Sequence, residues 1–153
     1  MTTSSNVLIG IVVLGWILAR QLSVRPVGER MTLSWILLAA GVIETSGYLQ
    51  QHGASGVDLA LLIGSAAIGG LLAIARAHTM RVWVTATGAV RQGTVVTAAL
   101  WVVGIGQHLL LDAFVHDRAL GSVSLMAYFG LTLLVQHLVL MVRAQRLQPV
   151  SEL

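Results

Sequence analysis

The stretch Val57-Asp58-Leu59-Ala60-Leu61-Leu62-Ile63-Gly64-Ser65-Ala66-Ala67-Ile68-Gly69-Gly70-Leu71-Leu72-Ala73-Ile74-Ala75-Arg76-Ala77 carries its two ionisable groups, Asp58 and Arg76, near its ends; all between is apolar or small. A hydrocarbon core about 30 Å thick is crossed by roughly 20 residues of α-helix, so this run reads as one transmembrane span. Four further runs have the same character: 7–22, 31–49, 94–114 and 120–141. With 56% hydrophobic and only 10% charged residues, against roughly a quarter charged in a soluble domain, a water-soluble fold is excluded. The expected fold is all-α, a single membrane domain over 1–153 built as a bundle of about five transmembrane helices, with no room for a separate soluble domain.

Charge placement orients the bundle. All nine basic residues are arginine. Alternating the runs across the bilayer gathers Arg20, Arg25, Arg30, Arg76, Arg81, Arg91, Arg143 and Arg146 on one side and leaves Arg118 opposite. Basic residues accumulate on the cytoplasmic side, which predicts an outside N-terminus and a cytoplasmic C-terminus in a multi-pass protein of the bacterial cell (inner) membrane. The run 7–22 has no preceding positive charge and reads as a retained anchor rather than a signal peptide. These arginines are topology signals, so no nucleic-acid partner is expected. The absence of cysteine excludes disulfides, thiolate metal ligands and cysteine nucleophiles.

The longest connection, 78–93, alternates apolar and polar residues around Thr87-Gly88 and reads as a hairpin-like cytoplasmic loop. The run 57–77 carries small residues four apart, Ala60 with Gly64, Ser65 with Gly69 and Ala66 with Gly70. Such spacing lets helices approach closely in lipid, either inside one bundle or as a homodimer seam through 57–77.

Ionisable groups inside a membrane are costly and usually functional; here they are Glu44, His108, Asp112 and His137. Glu44 and His108 sit at matching depth, roughly 8 to 9 Å below the outer ends of their helices at about 1.5 Å per residue. Glu44, Tyr48 and Gln51 share one helix face, as do His108, Asp112 and His116, with Gln107 beside them. If the two stripes face each other, they line a cleft open to the outer leaflet. In one reading Glu44 and His108 are an acid–base pair, Asp112 orients His108, and Tyr48, Gln51 and Gln107 line the site of a lipophilic small molecule. Such a site performs cyclase- or isomerase-type chemistry and requires no cofactor. In the other, the same residues glue helices together in a non-enzymatic accessory or assembly protein. A small oligomeric transporter is a third class, disfavoured by the lack of internal repeats. A metal held by His108, Asp112 and His116 is a minor alternative, because steps of four drift around a helix and His116 falls past the helix end. Haem is disfavoured, since His137 and His108 lie at different depths.

The order Arg76, Arg81-Val82-Trp83, Gly88, Val90-Arg91-Gln92-Gly93-Thr94 and Leu100-Trp101, with Arg25-Pro26 and Arg30 before the second run, resembles CcdC-like small bacterial membrane proteins. The resemblance covers most of the chain and implies a similar size, a similar number of spans and an accessory role associated with cytochrome c biogenesis. It implies no catalytic residues, and without cysteine the chain relays no electrons through thiols.

Overall fold

The computed structural model of this chain describes residues 15, 19, 21–28, 31–116 and 118–147. The run 7–22, expected to be the first span, lies for the most part outside them. Among the described residues, four helices are long and apolar enough to cross a membrane: α1 (Met31–His52), α2 (Gly56–Thr79), α3 (Val95–Asp112) and α4 (Arg118–Leu147). The burial pattern is inverted relative to a soluble protein. Ile43, Ile63, Leu71, Val95, Leu110 and Phe114 are exposed, whereas Ser65, Arg76, Thr97, Thr132 and Gln136 are buried. An apolar exterior around a polar interior is unstable in water and suits lipid, where backbone groups are satisfied within each helix.

Packing follows from where glycine replaces a side chain. A Cβ added at Gly41 would overlap the backbone of Ala127, and one added at Gly130 would overlap the backbone of Leu37 and Leu38. At these two levels α1 and α4 therefore run antiparallel with their backbones almost touching, and this is the most extensive helix contact. In turn α4 packs on α2, and α2 on α3, whereas α3 and α4 meet in few places and α1 packs on neither α2 nor α3 to any comparable extent. On α2, Gly69 accommodates the Tyr128 ring, but no atom lies within 4 Å of the Cβ position at Gly64 or Gly70. The small residues of 57–77 thus serve one face of the bundle, and Gly64 and Gly70 face outward.

At one end sits a small antiparallel sheet in the order β1-β3-β2, from β1 (Arg25–Pro26), β2 (Arg81–Thr85) and β3 (Gly88–Gln92). Thr85 pairs with Gly88 across a two-residue turn, and Gly88 at φ +122° holds a conformation that other residues adopt with strain. Val82 and Ala89 pack against Val27, Ala77, Met80, Leu140 and Ala144, so the sheet is seated on the ends of α2 and α4. Arg143, expected only as a topology signal, reaches across from α4 to donate to the carbonyls of Ala77 and Met80, which the end of α2 leaves unpaired.

The same end is tied by threonines. Thr94 caps α3 in a reciprocal capping box with Thr97, and the fully buried Thr97 hydroxyl lies 2.9 Å from that of Thr79 on α2. Thr97→Val keeps the shape but leaves the Thr94 N–H and the Thr79 hydroxyl short of a partner. We expect a loss of about 1–2 kcal/mol, read by reversible unfolding in mixed detergent and SDS micelles; an unchanged midpoint would show that water replaces the hydroxyl.

Candidate functional site

The polar core is built by α2, α3 and α4. Ser65 Oγ lies 2.9 Å from His108 Nδ1, and Gln107 Nε2 donates to Ser65 Oγ at 3.0 Å and toward the Ser65 carbonyl at 3.5 Å. A carbonyl only accepts, so the amide group facing it is the NH2. With Gln107 donating to the Ser65 hydroxyl, that hydroxyl is free to donate to His108 Nδ1. In the neutral ring this assignment leaves the imidazole proton on Nε2.

The Tyr128 ring stacks on the His108 ring, with centroids 4.4 Å apart, and its hydroxyl donates to the Gly104 carbonyl at 2.7 Å. The Asp112 carboxylate lies against Gly121 of α4, where any side chain would collide with it. Beyond Tyr128, the Arg76 guanidinium lies 3.9 Å from the centroid of the Trp101 ring. Asp112, His108, Gly104 and Trp101 thus run down α3 along its seam with α4, a helix it meets in few places.

Several buried atoms in this seam have no hydrogen-bond partner: His108 Nε2, Asp112 Oδ1, Gln107 Oε1, and Nε and Nη2 of Arg76. Buried polar groups are nearly always paired, and each exception asks for an explanation. Those in the seam, Trp101 Nε1 among them, comprise both donors and acceptors; Gln136 Oε1 and His137 Nε2 are further exceptions, on α4.

The predicted site residues separate into two groups. His108, Asp112 and Gln107 belong to the seam. Glu44 and Gln51 are exposed on α1, and Tyr48 is half-buried with its ring stacked on that of His52, centroids 4.3 Å apart. The stripes on α1 and α3 do not face each other, because α1 packs on α4 while α3 packs on α2. His108, Asp112 and His116 do not converge either, because α3 ends at Asp112 and His116 turns to Asp58. Asp58, which caps α2 together with Ser55, accepts from the His116 backbone N–H at 3.0 Å. Among the described residues no three histidine, aspartate or glutamate side chains are placed to hold a metal ion. On α4, Gln136 reaches Gln21 and the Met80 sulfur.

Four residues of the seam carried no functional expectation. Ser65 reads as a small packing residue, Arg76 as a topology marker, Trp101 as a packing residue, and Tyr128 as an ordinary member of an apolar run. Only Arg76 left a usable signal: it stands inside the apolar run 57–77, one residue before its end, and not beyond it. Comparison with protein-family models, with curated proteins and with solved structures finds no match to this chain.

Proposed function

We propose that this chain is a small multi-pass protein of the inner membrane that holds a lipophilic molecule in the seam between α3 and α4 and moves a proton on it. The sheet end faces the cytoplasm, in keeping with its arginines, and His108 and Asp112 lie in the outer half. The observation that carries this reading is the unpaired donor His108 Nε2 and, one helical turn away, the unpaired acceptor Asp112 Oδ1, on the side of α3 that meets α4 in few places.

The division of labour follows from the hydrogen bonds. Ser65, itself held by Gln107, fixes the His108 tautomer through Nδ1, and the Tyr128 ring fixes its plane. The neutral Nε2–H then polarises a ligand oxygen or double bond by hydrogen bonding and keeps its proton. The Asp112 carboxylate accepts a proton from a neighbouring carbon or hydroxyl and returns it at the new position, so both side chains end as they began. A fixed hydrogen-bond donor beside one carboxylate that takes and returns a proton constitutes the equipment of an isomerase or cyclase, with no cofactor needed. Glu44 stands outside this constellation.

Lipid extracts of cells producing wild type, His108→Gln or Asp112→Asn, compared by mass spectrometry, test the reading. The expected result is loss of one product mass and accumulation of its isomer or precursor in both variants, with thermal stability in detergent near that of wild type. Unchanged extracts from stably folded variants would sink it. The Ser65–His108 and Tyr128–Gly104 bonds favour a second reading, in which the polar core only ties helices together. In that case the variants lose stability and the extracts stay the same.

A further inference from the structure

Arg76 is 1% exposed, and an arginine side chain stays protonated in proteins. Its positive charge needs a complement, and the Trp101 face supplies only part of one. None of the three described acidic side chains supplies the rest: Glu44 is on the exposed face of α1, Asp58 caps α2 beside His116, and Asp112 lies against Gly121. The two unpaired nitrogens are Nε and Nη2. They form one edge of the planar guanidinium, the edge that grips a carboxylate or phosphate with two parallel hydrogen bonds.

The surroundings suit such a grip. Trp101 holds the guanidinium flat, and on its other flank Arg76 Nη1 and the Tyr128 hydroxyl each stand 3.3 Å from where a Cβ of Gly104 would be, so Nη1 is packed against α3 and the Nε–Nη2 edge is the one left over. Tyr128 is shared, its ring on His108 and its hydroxyl at Gly104 beside Arg76. One molecule lying along the seam therefore meets His108 and Asp112 with one part and Arg76 with another.

We infer that Arg76 binds an oxyanion, and that the seam takes an amphiphile whose carboxylate or phosphate lies on the Arg76 guanidinium while its apolar part lies between α3 and α4. This deepens the proposed function by naming the ligand class, and it rests on that reading only for the reaction. Binding itself needs no turnover.

The test uses the full chain in a neutral maltoside detergent, probed with oleate, dioleoylphosphatidylglycerol, dioleoylphosphatidylcholine or inorganic phosphate, with thermal shift and Trp fluorescence as readouts. Oleate or the anionic phospholipid is expected to raise the melting temperature of wild type and to quench or shift the Trp signal; phosphatidylcholine is expected to do neither. Whichever of the two acts identifies the source as a single-chain acid or a lipid headgroup. Arg76→Gln is expected to lose the response while being at least as stable as wild type without ligand, since it removes an unpaired buried charge. Arg76→Lys, which keeps the charge without the fork, is expected to bind at least tenfold more weakly and decides the matter if Arg76→Gln fails to fold. Binding to wild type is read without turnover, so a lipid extract unchanged in stable His108→Gln protein would sink the proton-transfer reading and leave the anion site standing, whereas no response of wild type to either anionic amphiphile would sink the anion site alone. The inference is overturned if neither anionic amphiphile acts on wild type, if Arg76→Gln or Arg76→Lys responds as wild type does, or if inorganic phosphate alone reproduces the full shift.

Discussion

Gly41→Val and Gly130→Val are each expected to abolish the folded bundle. At both positions a single Cβ already overlaps main-chain atoms of the facing helix, and main chain cannot rotate aside as a side chain can. The helices must separate, which forfeits dispersion contacts along the most extensive helix contact. In lipid no hydrophobic drive compensates, because the tails are as apolar as the side chains. Overpacking a tolerant core costs about 1–3 kcal/mol, and we expect Gly41→Ala to fall at or above the upper end of that range. The valine variants should emerge from size-exclusion chromatography as aggregate. Gly64→Ala and Gly70→Ala meet nothing within 4 Å and should leave the melting temperature where it is. A Gly130→Val protein that runs and melts like wild type would contradict the close approach of α1 and α4.

Trp101→Ala has the second largest expected effect. Trp101 is 2% exposed, stacks 6.2 Å from Phe129 by ring centroids and supports the Arg76 guanidinium from below. Truncating a buried aromatic costs about 3–5 kcal/mol through the cavity it leaves, and losing the cation–π contact adds on the order of 1–2 kcal/mol. Trp101→Phe keeps a ring for Arg76 and should cost less than half as much. The coupling is separable by a double-mutant cycle: with Arg76→Met already present, Trp101→Ala should be milder, because no charge is stranded. A loss below about 1 kcal/mol for Trp101→Ala, measured by unfolding in mixed micelles, would show that neither the cavity nor the stacked charge matters.

Much of the architecture is legible because it depends on one-dimensional quantities. Run length against bilayer thickness anticipates helices where α1 to α4 stand. The polar site is legible in part for the same reason: His108, Asp112 and Gln107 interrupt an apolar helix, and such interruptions are costly unless used. Glu44 gives the same signal with a different outcome, because its cost depends on which way α1 faces. Nothing in residues 31–49 states that Gly41 would turn toward α4 and leave Glu44 on the other side.

Ser65, Tyr128, Arg76 and Trp101 escape for a related reason. Each is unremarkable on its own helix and acquires meaning from a partner 43, 24 or 25 residues away: Ser65 with His108, Gly104 with Tyr128, and Arg76 with Trp101. The sequence by itself determined that this chain is built for lipid and which helices carry polar groups, since both follow from transfer free energies summed along the chain. Only the tertiary structure decided which polar groups meet. Helix rotation and neighbour order are set by contacts between helices, the backbone approach at Gly41 and Gly130 for α1 on α4 and the Ser65–His108 and Thr79–Thr97 pairs for α2 on α3, and composition along a single helix does not encode its partner.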